Sequence, residues 1–565
     1  MQNLDAKLRE CDHKSYPAYK SLKGRYQFPN YVLSIDHVQG DPFAAPSSLS
    51  VHIPAAKHGF PKEYTDAPHR RIMLQDYLLR GFYRLLGTYS HKAKGSGKSG
   101  SLSVSHPGQE VLERSALTID ARSGELVVRF SAGFPAAGRT TLSMELRKML
   151  MEYVPACVKQ TLYFSVIRRE ELKKWICLAD DQLAVRRQLQ EKDLVAFVAD
   201  GAILPRKSGV EDAPMQGAVA FASPKEDRIT LSLPEGRSIT GLGIRRGITL
   251  IVGGGYHGKS TLLKALERGV YNHIPGDGRE YVITEDTAMK LRSEDGRSVK
   301  RLDISSFIRN LPNGKDTACF STEDASGSTS QAACTVEAVL SGSRTLLIDE
   351  DTSATNFMVR DALMQSVIHP DQEPIIPFAG RMRQMYEELG VSTVLVAGSS
   401  GAFFTIADTI LQMKEYVPCD ITEAAKAAAA AAKEAAPGAS DALGTFQDTR
   451  IAMANKAVTD SRRVKVKSAG TDAVILNHES VELRFVEQVV DTEQTNLLGA
   501  MLRCLEENYF NGYKALTECV EELYRAYQKK GFAAVTSGSI PGNQAQVRLQ
   551  ELWAMVNRYR SLQLK

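Results

Sequence analysis

Gly253-Gly-Gly-Tyr-His-Gly258-Lys259-Ser260-Thr261 is the stretch that decides the fold of this 565-residue chain. It fits G-x-x-x-x-G-K-[ST], with the apolar run Ile248 to Val252 before it and a helical pattern from Thr261 after it. Strand, glycine loop and helix in that order form a phosphate cradle. Gly253, Gly254, Gly255, Tyr256, His257 and Gly258 supply backbone N–H groups that curl around phosphates. The helix N-terminus adds a positive dipole end, Lys259 reaches the β and γ phosphates, and Ser260 and Thr261 open the helix, Ser260 as a magnesium ligand. A second glycine-lysine segment, Gly95 to Gly100, has Lys92 at the position of the first motif glycine and no strand before it, so it is not a nucleotide loop.

Downstream, Thr345-Leu-Leu-Ile348-Asp349-Glu350 is an apolar strand ending in two carboxylates. Asp349 is placed for the Mg²⁺ shell and Glu350 to orient or deprotonate an attacking water. A further apolar run, Thr393 to Val396, alternates as little as the first two, and such strands are covered on both faces in a parallel α/β sheet. The run Ile348-Asp-Glu-Asp-Thr-Ser-Ala-Thr-Asn356 resembles the LDEPTSALD segment of ABC ATPases. Ala325-Ser326-Gly327-Ser328-Thr-Ser-Gln331 is a degenerate LSGGQ signature 23 positions ahead of Asp349.

Together with Glu294-Asp-Gly-Arg-Ser-Val299, His37-Val-Gln-Gly-Asp-Pro-Phe43, Gln109 to Arg114 and Asn557-Arg-Tyr-Arg560, these motifs make the chain resemble the soluble ABC-class ATPases of bacteria and lower eukaryotes. Within them it is most similar to the kinetoplastid mitochondrial branch that binds RNA and is linked to RNA editing. The resemblance implies ATP and Mg²⁺ as cofactors and a homodimer on ATP binding, with Ser326, Gly327 and Ser328 completing a neighbour's nucleotide site. It implies a mitochondrial location, the cytoplasm being the alternative, and RNA-editing accessory proteins as partners. Glu294 falls at the Q-loop position, near the metal. Ten residues back from Asp408, Gly398 stands where a cassette carries its switch histidine, which leaves Ser399 to contact the γ-phosphate or hydrolysis slow. No aromatic lies between Phe221 and Tyr256 to stack on adenine. Only 67 positions separate Lys259 from Ser326, so the helical subdomain is reduced.

Residues 1–100 hold 15 Lys and Arg against 8 Asp and Glu, an excess of seven in a chain whose net charge is +4. The excess peaks at Arg80, Arg84, Lys92, Lys94 and Lys98, with Phe82, Tyr83 and Tyr89 interleaved and no acid between. Cations neutralise phosphates while aromatics stack bases, so single-stranded or structured RNA is the expected partner and Arg80, Arg84, Tyr89, Lys92, Lys94 and Lys98 the expected contacts. Arg463, Lys465 and Lys467 alternate like an edge strand with one cationic face. No apolar run reaches the length of a membrane span. Eight scattered cysteines without metal-binding spacing point to a reduced compartment.

The expected architecture is an α/β, ABC-type P-loop ATPase core over 226–419, preceded by an N-terminal α+β region (1–225) and followed by an Ala-rich helical linker with a basic strand (420–468) and a C-terminal helical domain (469–565). Helices are expected over Ile72 to Leu86, Thr140 to Tyr153 and Glu170 to Ala184, and a hairpin over Ala116 to Phe130. Asp420-Ile-Thr-Glu423 is expected as a capping box before the Ala-rich run to Ala436. Three other functions stay open: a nucleotide-gated clamp with little turnover, an assembly scaffold, and a DNA-acting maintenance ATPase.

Overall fold

A computed structural model describes residues 2–360, 373–398, 400–432, 441–459 and 464–565. The chain divides into two units, Met1–Asp180 with Thr536–Gln546, and Asp181–Val535 with Val547–Lys565.

The first unit is α+β. Its antiparallel sheet runs in the order Gly24–Gln27, Val32–His37, Ser47–Ile53, Leu126–Ala132, Leu102–Ser103, and Leu117–Ile119 also pairs with Leu126–Ala132. The expected hairpin is therefore present, its turn closed by Asp120 Oδ1, which accepts from the Arg122 and Ser123 N–H groups. The 22-residue helix Pro68–Tyr89 buries Met73, Leu74, Leu78, Leu79, Phe82 and Leu86 at the three-and-four spacing. Phe82 packs on Phe130 of the sheet, ring centroids 6.0 Å apart. The helix Ser143–Lys148 continues through a wide turn, Met149–Tyr153, into Val154–Thr161, and Arg169–Glu191 follows. Residues 536–546 complete this unit as a strap. The Ser115 N–H donates to Gln544 O (2.9 Å), the Gln544 N–H to Ser115 Oγ (2.9 Å), and the Gln546 N–H to Glu113 O (2.8 Å).

The second unit holds the α/β core. Its main sheet has the order Met289–Leu291, Thr345–Asp349, Ser392–Val396, Ile248–Val252, Thr409–Lys414, Val417–Asp420. The first five strands are parallel and the last returns antiparallel. Every residue of Thr345–Asp349 and Ser392–Val396 is buried, which explains their unbroken apolar character. A second, antiparallel sheet is built from Arg228–Ser232, Ser238–Arg245, Leu194–Ala199 and Val282–Thr284. Leu262, Leu263 and Leu266 of the helix Lys259–Arg268 share one core with Val195, Val198 and Leu242 of this sheet and Ile251, Leu347 and Val394 of the other. Between the P-loop helix and Ser326 the chain forms only strands, including the hairpin Arg297–Leu302 with Phe320–Ala325, so the helical subdomain is reduced as expected.

The expected capping box at Asp420 does not form. Asp420 ends a strand and its Oδ1 accepts from the Thr422 N–H (2.6 Å), so the helix begins at Thr422 and runs to Ala431. The remainder of the Ala-rich run, 433–440, lies outside the described residues. Towards the C-terminus come the helices Thr492–Asn508, Leu516–Lys530 and Leu549–Arg558. To these the structure adds two three-stranded sheets, one of Val466–Ala469, Ala473–Leu476 and Glu479–Glu482, the other of Asn511–Ala515, Ile451–Met453 and Gln563–Leu564. Gln488 anchors this region to the core. Its Nε2 donates to Glu267 O (3.2 Å) and Ala288 O (3.1 Å), and its Oε1 accepts from the Lys290 N–H (3.1 Å).

Candidate functional site

In the register of the central strands Ile251 lies opposite Val396, and Val396 opposite Asp349. Three neighbouring strands therefore end level at one edge of the sheet. The P-loop leaves the first, Gly398 the second, and the Asp349-Glu350 pair stands at the end of the third.

The loop conformation follows from its glycines. Gly253 has φ +139°, and a Cβ there would stand 2.6 Å from the Met413 carbonyl oxygen. Gly258 has φ +95° and caps the helix Lys259–Arg268. Tyr256 takes φ +64°, unusual for a bulky residue, and is fully exposed. Lys259 Nζ donates to Gly253 O (2.6 Å) and Gly254 O (2.9 Å), so it lies along the loop it must serve. Ser260 is exposed in the first turn of the helix.

Asp349 is buried at the strand end, and its Oδ1 accepts from the Asp351 N–H (3.2 Å). Glu350 Oε2 accepts from the Gly398 N–H at 2.6 Å. The residue that stands in place of a switch histidine thus fixes the glutamate through its main chain. Ser399, expected to take over that role, lies outside the described residues. One carboxylate and one hydroxyl beside a phosphate loop suit Mg²⁺, which is commonly held by one or two carboxylates plus substrate phosphates. Among the described residues no group of three or more His, Cys, Asp or Glu forms a metal cage.

Glu294 does not belong to that metal shell. It is 5% exposed, accepts from Arg558 Nε (3.1 Å) and Nη2, and its N–H donates to Ser330 Oγ (2.8 Å). Burial pushes its carboxyl up, but the Arg558 and Arg297 guanidiniums outweigh burial and hold it below the usual range. Cys334 lies between them, receiving Arg297 Nη1 at 2.9 Å while its thiol faces Glu294 Oε1 at 3.4 Å. Arg297 in turn pairs with Glu337 through both carboxylate oxygens, 2.5 Å each.

The signature segment opens the helix Gly327–Leu340, with Ser326 exposed as its N-cap. Ser328, expected on the nucleotide, is instead buried and donates to Asn356 Oδ1 (2.7 Å). Gln331 Nε2 donates to Ser353 Oγ (2.9 Å) and its Oε1 accepts from the Ala354 N–H (2.8 Å). The signature helix is thereby tied to the segment that follows Glu350, leaving Ser326 exposed at its start and Gly327 half-buried.

A small pocket of about 20 Å³ adjoins the P-loop, lined by Leu204, Pro205, Val219, Phe221, Met413 and Tyr416 against Gly258 and Thr261. It was not legible in the sequence, because Tyr416 arrives from a turn well over a hundred residues downstream of the motif.

In the first unit, Arg84, Lys92, Lys94 and Lys98 are exposed as expected. Arg80 is not a free cation: it pairs with buried Asp76 (2.5 Å) and donates to Gly108 O (2.7 Å). Tyr89 is half-buried and stacked on Tyr153 (5.0 Å), with Lys92 Nζ 4.5 Å from its ring centre. The loop carrying Lys94 and Lys98 is fixed rather than adaptable. Its Lys98 N–H donates to Pro42 O (2.8 Å), the Ser96 N–H to Ala136 O (2.7 Å), and a Cβ on Gly97 or Gly100 would collide with Pro42 or Ala93. Phe43, 62% exposed, sits beside this loop, an aromatic not among the expected contacts. Lys465 and Lys467 lie on or beside the edge strand Val466–Ala469 and are exposed, while Arg463 lies outside the described residues.

Three family models match along the chain: the N-terminal domain of ATPases of the ABC class over residues 1–165, the P-loop domain of ABC ATPases over 168–448, and the MRB1590 C-terminal domain over 465–565. An uncharacterized protein, MJ1628, from Methanocaldococcus jannaschii is 31% identical over 252 residues, 42% of this chain and 54% of its own length. The chain thus spans about half of that curated relative. Among solved structures, CbiO1 from Clostridium perfringens, part of the ABC transporter complex CbiONQ, aligns over 40% of this chain and 87% of its own, at 14% identity and a TM-score of 0.24, too low to bear on the fold.

Proposed function

For a chain that carries the P-loop domain and the N-terminal domain of ABC-class ATPases, we propose the hydrolysis of ATP by a homodimer that binds RNA. The observation that carries the hydrolytic reading is the level edge of three strands, with the P-loop, Gly398 and Asp349-Glu350 side by side and the Glu350 carboxylate fixed by the Gly398 N–H at 2.6 Å.

The P-loop N–H groups and Lys259 bind the phosphates, with Lys259 giving up the carbonyls of Gly253 and Gly254 to do so. Ser260 and Asp349 are the residues that would hold Mg²⁺, which when bound offsets phosphate charge. Glu350 accepts the proton of the attacking water or orients it; its Gly398 contact sets where the carboxylate points. Catalysis here is positioning and electrostatics more than covalent chemistry. Glu350→Gln should keep ATP bound while phosphate release stops, and Lys259→Ala should weaken ATP binding itself. Equal phosphate release from wild type and Glu350→Gln would remove Glu350 from the mechanism.

One chain has one P-loop and one signature helix, and the exposed Ser326, with half-buried Gly327 after it, is placed to meet a second copy's phosphates. Sedimentation of Glu350→Gln with and without MgATP tests this: ATP-dependent doubling of mass supports it, and an unchanged monomer refutes it.

The RNA reading is supported by the exposed cations Arg84, Lys92, Lys94 and Lys98 of the first unit and by exposed Phe43 beside the loop that carries Lys94 and Lys98. The match to the MRB1590 C-terminal domain, with the resemblance to kinetoplastid RNA-editing ATPases, supports an accessory role in mitochondrial RNA editing.

A further inference from the structure

We propose that a cavity at the edge of the main sheet away from the P-loop binds a small phosphate monoester with a hydroxyl-bearing body, such as a sugar phosphate. Arg344 and Arg186 hold its phosphate and Asp286 its hydroxyls. The site stands apart from the nucleotide reading above.

The cavity measures about 330 Å³, within the roughly 300–1,000 Å³ of pockets that take a whole small ligand. Residues just ahead of three parallel strands line it: Glu285 to Thr287 before Met289–Leu291, Arg344 before Thr345–Asp349, and Arg246 before Ile248–Val252. The P-loop and the Asp349-Glu350 pair stand at the other ends of the last two. Each of those strands has five residues, so about 17 Å, at about 3.3 Å per residue, separates the cavity from the nucleotide edge. Leu189 and Gln190 of the helix Arg169–Glu191 and Leu194 of the second sheet complete the lining.

The lining carries three arginines against two acids, and its internal pairing leaves the excess positive. Glu285 is already satisfied: its Oε2 accepts from Arg246 Nη2 (3.1 Å) and its Oε1 from the Thr287 and Thr345 hydroxyls (3.1 and 2.7 Å). Half-buried Arg186 has no carboxylate among its acceptors. Its Nε donates to Asn272 Oδ1 (2.9 Å), its Nη1 to Thr284 O (3.0 Å) and its Nη2 to Gly269 O and Val270 O (3.2 Å each). Burial pushes its guanidinium down to about 10, with the Asp286 charge opposing, the direction of a cation with no anion bound to it. Arg344 is exposed and its side chain makes no hydrogen bond or ion pair with the described residues; the same holds for the Asp286 carboxylate. An oxyanion therefore meets one free guanidinium fork and one under-compensated buried charge. A phosphate monoester, at about −1.5 to −2 near pH 7, answers both better than a carboxylate does. A bare phosphate ion would leave most of the cavity unfilled, whereas Asp286 accepts from hydroxyls and Leu189 and Leu194, both buried, face the carbon skeleton.

Calorimetric titration of the full chain, with saturating MgADP to keep the P-loop occupied, compares ribose 5-phosphate, inorganic phosphate and ribose. The ester should bind at least about tenfold tighter than inorganic phosphate, and ribose should give no heat. Arg344→Ala should weaken both phosphates at least about tenfold, the low end for hydrogen bonds to a charged group, and leave MgADP affinity unchanged. Gln190→Glu adds a negative charge to the lining without removing an arginine, and it should weaken both as well. Asp286→Ala should abolish the advantage of the ester over the ion. No binding of ribose 5-phosphate to the wild type, or equal affinity in an Arg344→Ala chain of unchanged melting temperature, would overturn the site. An ester no tighter than inorganic phosphate would overturn the hydroxyl-bearing body. A chain that fails to bind MgADP would refute the nucleotide reading instead, and the Arg344→Ala comparison would still decide the cavity, because Arg344 lies at the opposite edge of the sheet from the P-loop.

Discussion

Replacing Arg558 by methionine tests whether the terminal helix sets the geometry of the ATPase core. Arg558 supplies two contacts to Glu294, a carboxylate 5% exposed, and its Nη1 also donates to Ala554 O (2.8 Å). Without the guanidinium Glu294 keeps a thiol and a more distant arginine as company, and an unpaired buried charge of this kind costs about 3–5 kcal/mol. The pH dependence follows from the direction of the shift. In the wild type the carboxyl is held low, so its stabilisation is present above the unfolded value near 4.3 and is lost as pH falls through the folded value. In Arg558→Met burial dominates and the carboxyl moves up, so the penalty stands at pH 7 and is relieved as pH drops. The gap between the two proteins should therefore shrink from about 3–5 kcal/mol at pH 7 as pH drops, and close only once pH falls below the wild-type folded value. Urea unfolding can read it through Trp553, which is 1% exposed in the same helix, in a Trp175→Phe background that removes the other tryptophan. Glu294→Met with Arg558→Met should recover most of the loss, because an apolar pair costs less than a lone charge. A single variant that loses under about 1 kcal/mol, with no pH dependence, would refute the idea that this pair is held together by charge.

Other outcomes can be checked with ordinary assays. Burial pushes the Glu267 carboxyl, in the last turn of the P-loop helix, up to about 7; Glu267→Gln should stabilise the protein by about 1–3 kcal/mol at pH 8 and less at pH 5, because a raised carboxyl loses stability as pH rises from its unfolded value to its folded one. Equal melting shifts at the two pH values would contradict this. Neutralising Lys92, Lys94 and Lys98 together should lower the slope of log affinity for single-stranded RNA against log salt by up to about 2, at about 0.7 per phosphate contact, with ATP affinity unchanged; an unchanged slope leaves the loop as solvated surface. Gly253→Ala should weaken MgATP binding at least tenfold in calorimetry, since a Cβ would press on the Met413 carbonyl and shift the phosphate loop; wild-type affinity would mean the loop yields at no cost.

The parts of this molecule that sequence made legible are those whose chemistry is contiguous. The P-loop, Asp349 with Glu350, and the buried strands around them are each written in fewer than a dozen consecutive residues, and the unbroken burial of Thr345–Asp349 is the reason its apolar run could be read. Partners distant in the chain were not legible. Nothing in the vicinity of Glu294 announces Arg558, so the carboxylate expected near the metal from its Q-loop position is an internal counter-ion. Arg80 is a different case, because Asp76 lies four residues before it on the same helix, and that spacing was a sufficient signal of an intrahelical pair. Tyr416 carries no local mark beyond its position after Glu415. Only the strand order, with Thr409–Lys414 beside the P-loop strand, brings it against the P-loop.

The strap formed by residues 536–546 has a consequence for synthesis. Its hydrogen bonds to Glu113 and Ser115 complete a unit whose other residues end at Asp180, so that unit has left the ribosome about 350 residues before its last segment exists. At about 5–20 residues per second the wait is roughly 20–70 s, long beside the folding time of a small domain. Throughout that interval the main-chain groups around Glu113 to Ser115 lack the partner they will have in the finished protein. A nascent chain has reason to keep them covered by a chaperone, and a transcript truncated after the core would release a product whose first unit never closes.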